Sequence, residues 1–148
     1  MVWKMKLEEI QNEWENDSVI DRTELGEESI KIPKLHSKYY KWYSRERLQL
    51  VKLQEELKTL KKDKYDYYSG VLDRDELDDR GWEPIQLRIL KSDMSMHIDS
   101  DKDIITHNLK IAYIKEKVEF VEAIIRTLNI RSYQINNAIQ WEKFKVGT

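Results

Sequence analysis

Residues 104–128 read IITHNLKIAYIKEKVEFVEAIIRTL, and the spacing of their apolar side chains decides the fold. Ile104, His107, Ile111, Ile114, Val118, Val121, Ile125 and Leu128 recur at alternating steps of three and four. Such steps stack side chains on one face of an α-helix, whereas a half-buried strand alternates at every second residue. The pattern is the a/d seam of a heptad repeat, and it continues past Asn129 through Ser132 to Ile135 and Ile139. β-Branched residues at both a and d favour assemblies of more than two parallel strands. An intramolecular bundle would use the same stripe. Two long helices and one thin stripe enclose little core, however, which favours self-association. Ile104, Ile111, Ile114, Val118, Val121, Ile125, Leu128, Ile135 and Ile139 are therefore the expected oligomerisation residues. Asn129 tolerates the left-handed conformation and is the expected kink.

Upstream of the seam, no Pro or Gly stands between Pro33 and Gly70. A second long helix is expected there, and a short one over Lys6 to Asn16. Within 71–100, VLDRDELDDRGWEP carries turn chemistry and IQLRILKSDMSMHI shows partial alternation. That region reads as an irregular acidic loop with one short extended segment. The expectation is a single all-α domain over 1–148. Its N-terminal helical part covers 1–70, the acidic loop 71–100 and the C-terminal helical part 101–148.

The chain has no cysteine, which excludes disulfides and thiolate metal sites and fits a reducing compartment. No apolar run approaches the roughly 18 residues of a membrane span, and the first residues turn acidic where a signal peptide would be apolar. The net charge of −2 conceals a strong segregation. Residues 1–33 hold 4 Lys/Arg against 9 Asp/Glu, and residues 34–64 hold 10 against 4. The swing repeats, with 5 against 11 over 65–103 and 7 against 4 over 104–148. An anion-binding face produces such asymmetry, and so does a helix packed against an acidic neighbour.

Several chemistries are excluded by spacing. None of the four glycines opens a GxxxxGK[ST] run, so no P-loop is present. His36, His97 and His107 are scattered, without the i, i+4 pairing of a zinc helix, and His107 reads as a seam residue. DSDKD at 99–103 imitates an EF-hand start, but Ile104 stands where that loop needs glycine and Lys110 where it needs glutamate. Helix capping accounts better for those aspartates. Asp73, Asp75, Asp78 and Asp79 read as a solvated loop rather than a metal site. Neither a metal nor a cofactor is expected.

What remains is the basic helix. Tyr39, Tyr43, Leu50, Leu53, Leu57 and Leu60 share one face. Lys34, Lys38, Lys41, Arg45 and Lys52 fall within roughly 60° of one another, roughly 130° away from it. At residues 59–70 the chain reads TLKKDKYDYYSG. Single-stranded nucleic acid is held by lysines along its phosphates and by aromatic rings on which its bases stack. Lys58, Lys61, Lys62 and Lys64 beside Tyr65, Tyr67 and Tyr68 supply both parts, and Lys38, Lys41 and Arg45 repeat the mixture among Tyr39, Tyr40, Trp42 and Tyr43. Those ten residues, Lys58 to Tyr68 together with Lys38, Lys41 and Arg45, are the candidate DNA-binding set. The same residues also suit a helix end: lysines complement the dipole there, and Gly70 is a normal terminator. A coiled-coil scaffold whose basic helix pairs with its own acidic segments is the alternative.

The segments LEEIQNEW, VIDRTEL, KLHSKYYKWY, LKKDKYDYYSG and LKSDMSMHIDSDKDI, in that order, resemble the UvsY-type recombination mediator family of T-even-like bacteriophages. The most distinctive part is the basic pair ahead of DYYSG. The resemblance implies a non-enzymatic accessory protein that binds single-stranded DNA. It would help a RecA-like phage recombinase load onto strands covered by the phage single-strand-binding protein, in the cytoplasm of an infected bacterial host. It also implies a ring of about six or seven copies closed through the C-terminal helices. The family's basic pair corresponds to Lys62 and Lys64, and Lys64 stands where the family pattern has arginine, replacing a planar fork with a compact ammonium.

Overall fold

The structure, a computed structural model, describes residues 5–147. Five α-helices and one 3₁₀ turn follow in order: α1 (Leu7–Asp17), α2 (Leu25–Tyr68), α3 (Arg74–Arg80), the turn (Lys91–Asp93), α4 (Met94–Asp99) and α5 (Lys102–Lys145). Among the described residues there is no strand, so the extended segment expected within 71–100 is absent. What read there as turn chemistry is capping chemistry. Asp73 accepts a hydrogen bond from the Glu76 amide at 2.8 Å, Asp75 and Glu76 sit in the positive first turn, and α3 ends at a left-handed Gly81. A carboxylate also opens α5, as expected for DSDKD: Asp101 accepts from the amides of Asp103 and Ile104.

One expected boundary moves and one expected kink is absent. α2 starts at Leu25 and carries Pro33 in its interior, although Pro33 has no N–H to give the Ser29 carbonyl and such a residue costs about 3 kcal/mol. Tertiary bonding holds the preceding turns: Glu28 is buried and accepts from Arg131 and Lys31. α5 passes through Asn129 without a break, and among the described residues none other than glycine has positive φ. Leu128 and Arg131, buried on either side of Asn129, fix the helical register there.

The chain forms two compact units, Met1–Leu48 with Lys115–Thr148, and Gln49–Ile114. In the first, Met5, Ile10, Tyr39, Val121, Ile124 and Leu128 form the core, with Trp14 and Trp42 meeting the Tyr39 ring edge-on. Burying these side chains contributes roughly 1.5–3 kcal/mol each. Two buried cations join the unit's segments. Arg131 donates to the carbonyls of Asp17 and Val19, and Lys117 bonds the Met5 carbonyl and pairs with Glu46 at 3.0 Å.

In the second unit, Leu53, Met94, Ile104 and Ile114 are buried. His107 Nε2 lies 2.7 Å from the Leu53 carbonyl, which can only accept, so that nitrogen carries the proton. The polar residue in the seam is thereby satisfied.

Most of the heptad stripe is buried within the protomer. Ile104, Ile114, Val118, Val121, Leu128 and Ile135 are buried in a single chain, and Ile111, Ile125 and Ile139 are half-buried. With those six packed inside one chain, the half-buried Ile111, Ile125 and Ile139 are the part of the stripe left open to a neighbouring copy. No helix among the described residues is long and apolar enough to cross a membrane.

Candidate nucleic-acid interface

In the second unit, the last turns of α2 divide the basic and aromatic residues by helical angle. At 100° per residue, Lys58, Lys61, Lys62 and Tyr65 occupy one sector about 100° wide, and Lys64, Tyr67 and Tyr68 occupy the next. The second sector is packed. Lys64 is only 3% exposed, and its ammonium lies 3.2 Å from Asp101, 2.8 Å from Asp103 and 3.8 Å from the centre of the Trp82 ring. Tyr68 donates to Asp101 at 2.6 Å, and Tyr67 donates to the Glu83 carbonyl at 2.5 Å. Burial pushes the Asp101 carboxyl up, but hydrogen bonds from Tyr68 and Lys64 outweigh it and hold the group below the usual carboxylate range. Burial, followed by the bond to Asp101, raises the Tyr68 phenol well above its ordinary value.

The first sector faces solvent. Lys58 pairs with Glu55 and Lys62 with Asp66, at 2.9 and 3.0 Å. Exposed pairs of this kind are worth a few tenths of a kcal/mol, so both ammonium groups can turn to another anion. Tyr65 is 44% exposed. Lys61, Lys62 and Tyr65 line one groove together with Lys91 from the 3₁₀ turn and Met94 and Ile98 from α4. This arrangement offers positive charge, an aromatic face and an apolar wall together, which is what a flat polyanion needs.

The upstream candidates belong to the first unit. Lys38 is bound by Glu13 and Asp17, both at 2.7 Å, and lies over the Tyr39 and Trp42 rings. It is therefore turned toward α1 and does not share an open basic face, while Lys41 and Arg45 are exposed. Asp17 is held below the usual carboxylate range because the bonds from Lys38 and Tyr39 outweigh the effect of its burial. Among the described residues, no three His, Cys, Asp or Glu side chains gather as a metal would require.

A family model described as "Recombination, repair and ssDNA binding protein UvsY" matches residues 13–148. The chain belongs to the UvsY family. Recombination protein uvsY of Enterobacteria phage T4 is 27% identical over 143 residues, covering 97% of this chain and 99% of the phage protein. The fold agrees with crystal structures of the bacteriophage T4 recombination mediator protein UvsY. One lattice gives a TM-score of 0.84 at 26% identity, covering 97% of this chain and 99% of the other. A second gives 0.80 at 25% identity, covering 91% and 97%.

Of the basic pair expected to bind DNA, Lys62 is at the surface and Lys64 is enclosed. Sequence reasoning missed Lys91, Met94 and Ile98. Their signal is available in LKSDMSMHI, where Met94 and Ile98 are four apart, but partial alternation makes the region read as an irregular loop with one short extended segment. Its approach to α2 is tertiary.

Proposed function

We propose that this chain is a recombination mediator that binds single-stranded DNA and promotes loading of a RecA-like recombinase onto strands covered by single-strand-binding protein, in recombination, repair and recombination-dependent replication. The observation that carries this reading is UvsY membership over residues 13–148 together with the exposed Lys61, Lys62 and Tyr65 on one groove. In this mechanism each protomer holds a short stretch of strand weakly, through phosphate contacts to Lys58, Lys61 and Lys62 and stacking on Tyr65, and several copies give avidity. The bent strand then loosens from its covering protein and passes to the recombinase, with no nucleotide consumed by the mediator. Lys64, Tyr67 and Tyr68 act as the frame behind that surface, and Lys41 and Arg45 offer further phosphate contacts.

Self-association needs apolar surface outside the buried stripe. Ile130, Tyr133, Trp141 and Phe144 are all exposed, and on α5 they fall within about 80° of one another. Trp141 and Phe144 stack at 5.5 Å. This is the surface through which a closed ring of copies would form.

The test is titration into a fluorescent single-stranded oligonucleotide across salt concentrations, with a duplex control, followed by recombinase loading on a strand carrying single-strand-binding protein. Salt-sensitive preference for the single strand and faster loading support the proposal. The ion pairs of Lys38 and Lys64 with their own chain are what the scaffold alternative requires. Oligomers that bind no DNA even at low salt would establish that alternative.

A further inference from the structure

A groove of about 520 Å³ lies between α2 and the segment comprising the 3₁₀ turn and α4, wholly inside the second unit. Its volume is within the range of about 300–1,000 Å³ usual for small-ligand sites. Lys61, Lys62 and Lys91 supply charge, while Tyr65, Met94 and Ile98 supply an apolar wall. We infer that this groove is a nucleotide subsite: one unpaired base enters it against Tyr65, Met94 and Ile98, and the adjoining phosphates lie along the three lysines. The inference rests on the single-stranded-DNA reading above and deepens it, adding Lys91 and α4 to a site that the basic helix does not complete alone.

Lysines attract any polyanion, so charge cannot separate a single strand from a duplex. An apolar recess can, because a duplex base must leave its stack and its partner before it enters. The recess also has a direction. Asp99 lies on the same lining, where a carboxylate disfavours phosphate and accepts an N–H from a base edge. The strand is therefore oriented with phosphates toward the lysines and the base edge toward Asp99. Met94 is buried, whereas Lys61, Lys62, Lys91 and Tyr65 are exposed.

The experiment uses the full chain, a fluorescent single-stranded oligonucleotide and one of equal length in which the central nucleotides are abasic. Wild type should bind the base-bearing strand at least about five-fold more tightly. Tyr65→Leu should bring that ratio close to one with little change in salt slope. Lys91→Ala should keep the ratio and lower the slope by about 0.7 for each lost phosphate contact. Both replaced side chains are exposed, so folding is not at issue. Equal binding of the two strands by wild type, or an unchanged slope in Lys91→Ala, overturns the groove while leaving DNA binding elsewhere intact. Failure of wild type to bind either strand overturns the parent reading and the groove together.

Discussion

Lys62 and Lys64 stand two residues apart on one helix, in one motif, with the same chemistry and opposite circumstances. Lys62 is at the surface, bridged to the half-buried Asp66 one turn away. Lys64 is enclosed by Asp101, Asp103 and the Trp82 ring. Tyr65 and Tyr68 repeat the contrast, the first open and the second bonded to Asp101. Two residues rotate a side chain by about 200° around a helix, so neighbours in sequence serve different tasks. One sector presents charge to a partner. The other uses charge to join α2 to the start of α5 within the second unit.

The largest effect that would sharpen this contrast is on stability. Lys64→Ala leaves Asp101 buried without its cation, and we expect a loss of roughly 3 kcal/mol, read as a lowered urea midpoint. A Lys64→Ala/Asp101→Asn double variant should lose less than the two singles combined, because the partners share one interaction. On the open sector the expectation reverses. Lys61→Ala/Lys62→Ala should change stability by about 0.5 kcal/mol or less, yet lower the salt slope of single-strand binding by about 0.7 per lost contact.

The two faces of α5 make a parallel test. Val118→Asp places a charge in a closed interior and should unfold the first unit, seen by circular dichroism. Trp141→Glu/Phe144→Glu should keep the helical signal and yield smaller species by light scattering, with weaker DNA binding through lost avidity.

Titration gives a subtler signature. Asp17 and Asp101 have folded-state pKa values below their unfolded ones, so the stability they contribute is present above about pH 3.9 and is lost as pH falls through the lower folded value. Tyr39 and Tyr68 are raised, so their contribution is present below about pH 10 and is lost above it. Asp101→Asn should flatten the acid limb of a urea-midpoint profile against pH. The smallest effect belongs to Lys58→Ala, whose exposed pair with Glu55 is worth about 0.3 kcal/mol.

Much of the fold is legible in the sequence because helical period is a local property. The step of three and four through Val118 and Val121 reports a buried face, and Tyr39 and Leu53 do the same on α2. Period cannot say whose interior the face enters, and here it enters the protomer's own. Pro33 and Asn129 misled for a related reason: their local preferences yield to the anchoring of Glu28 and Arg131. The site was legible by residue type and not by partner. KKDKYDYY announces cations and rings, but the enclosure of Lys64 depends on Asp101, Asp103 and Trp82, which lie far along the chain. Lys91 was invisible because no periodic pattern connects a short 3₁₀ turn to α2.

The most direct measurement compares the salt dependence of single-strand binding for wild type, Lys61→Ala/Lys62→Ala and Lys64→Met, each at a temperature where all remain folded. The account predicts a reduced slope and weaker binding for the first variant, with a wild-type slope for the second. A reduced slope in Lys64→Met with an unchanged one in Lys61→Ala/Lys62→Ala would contradict it, placing the strand on the enclosed sector.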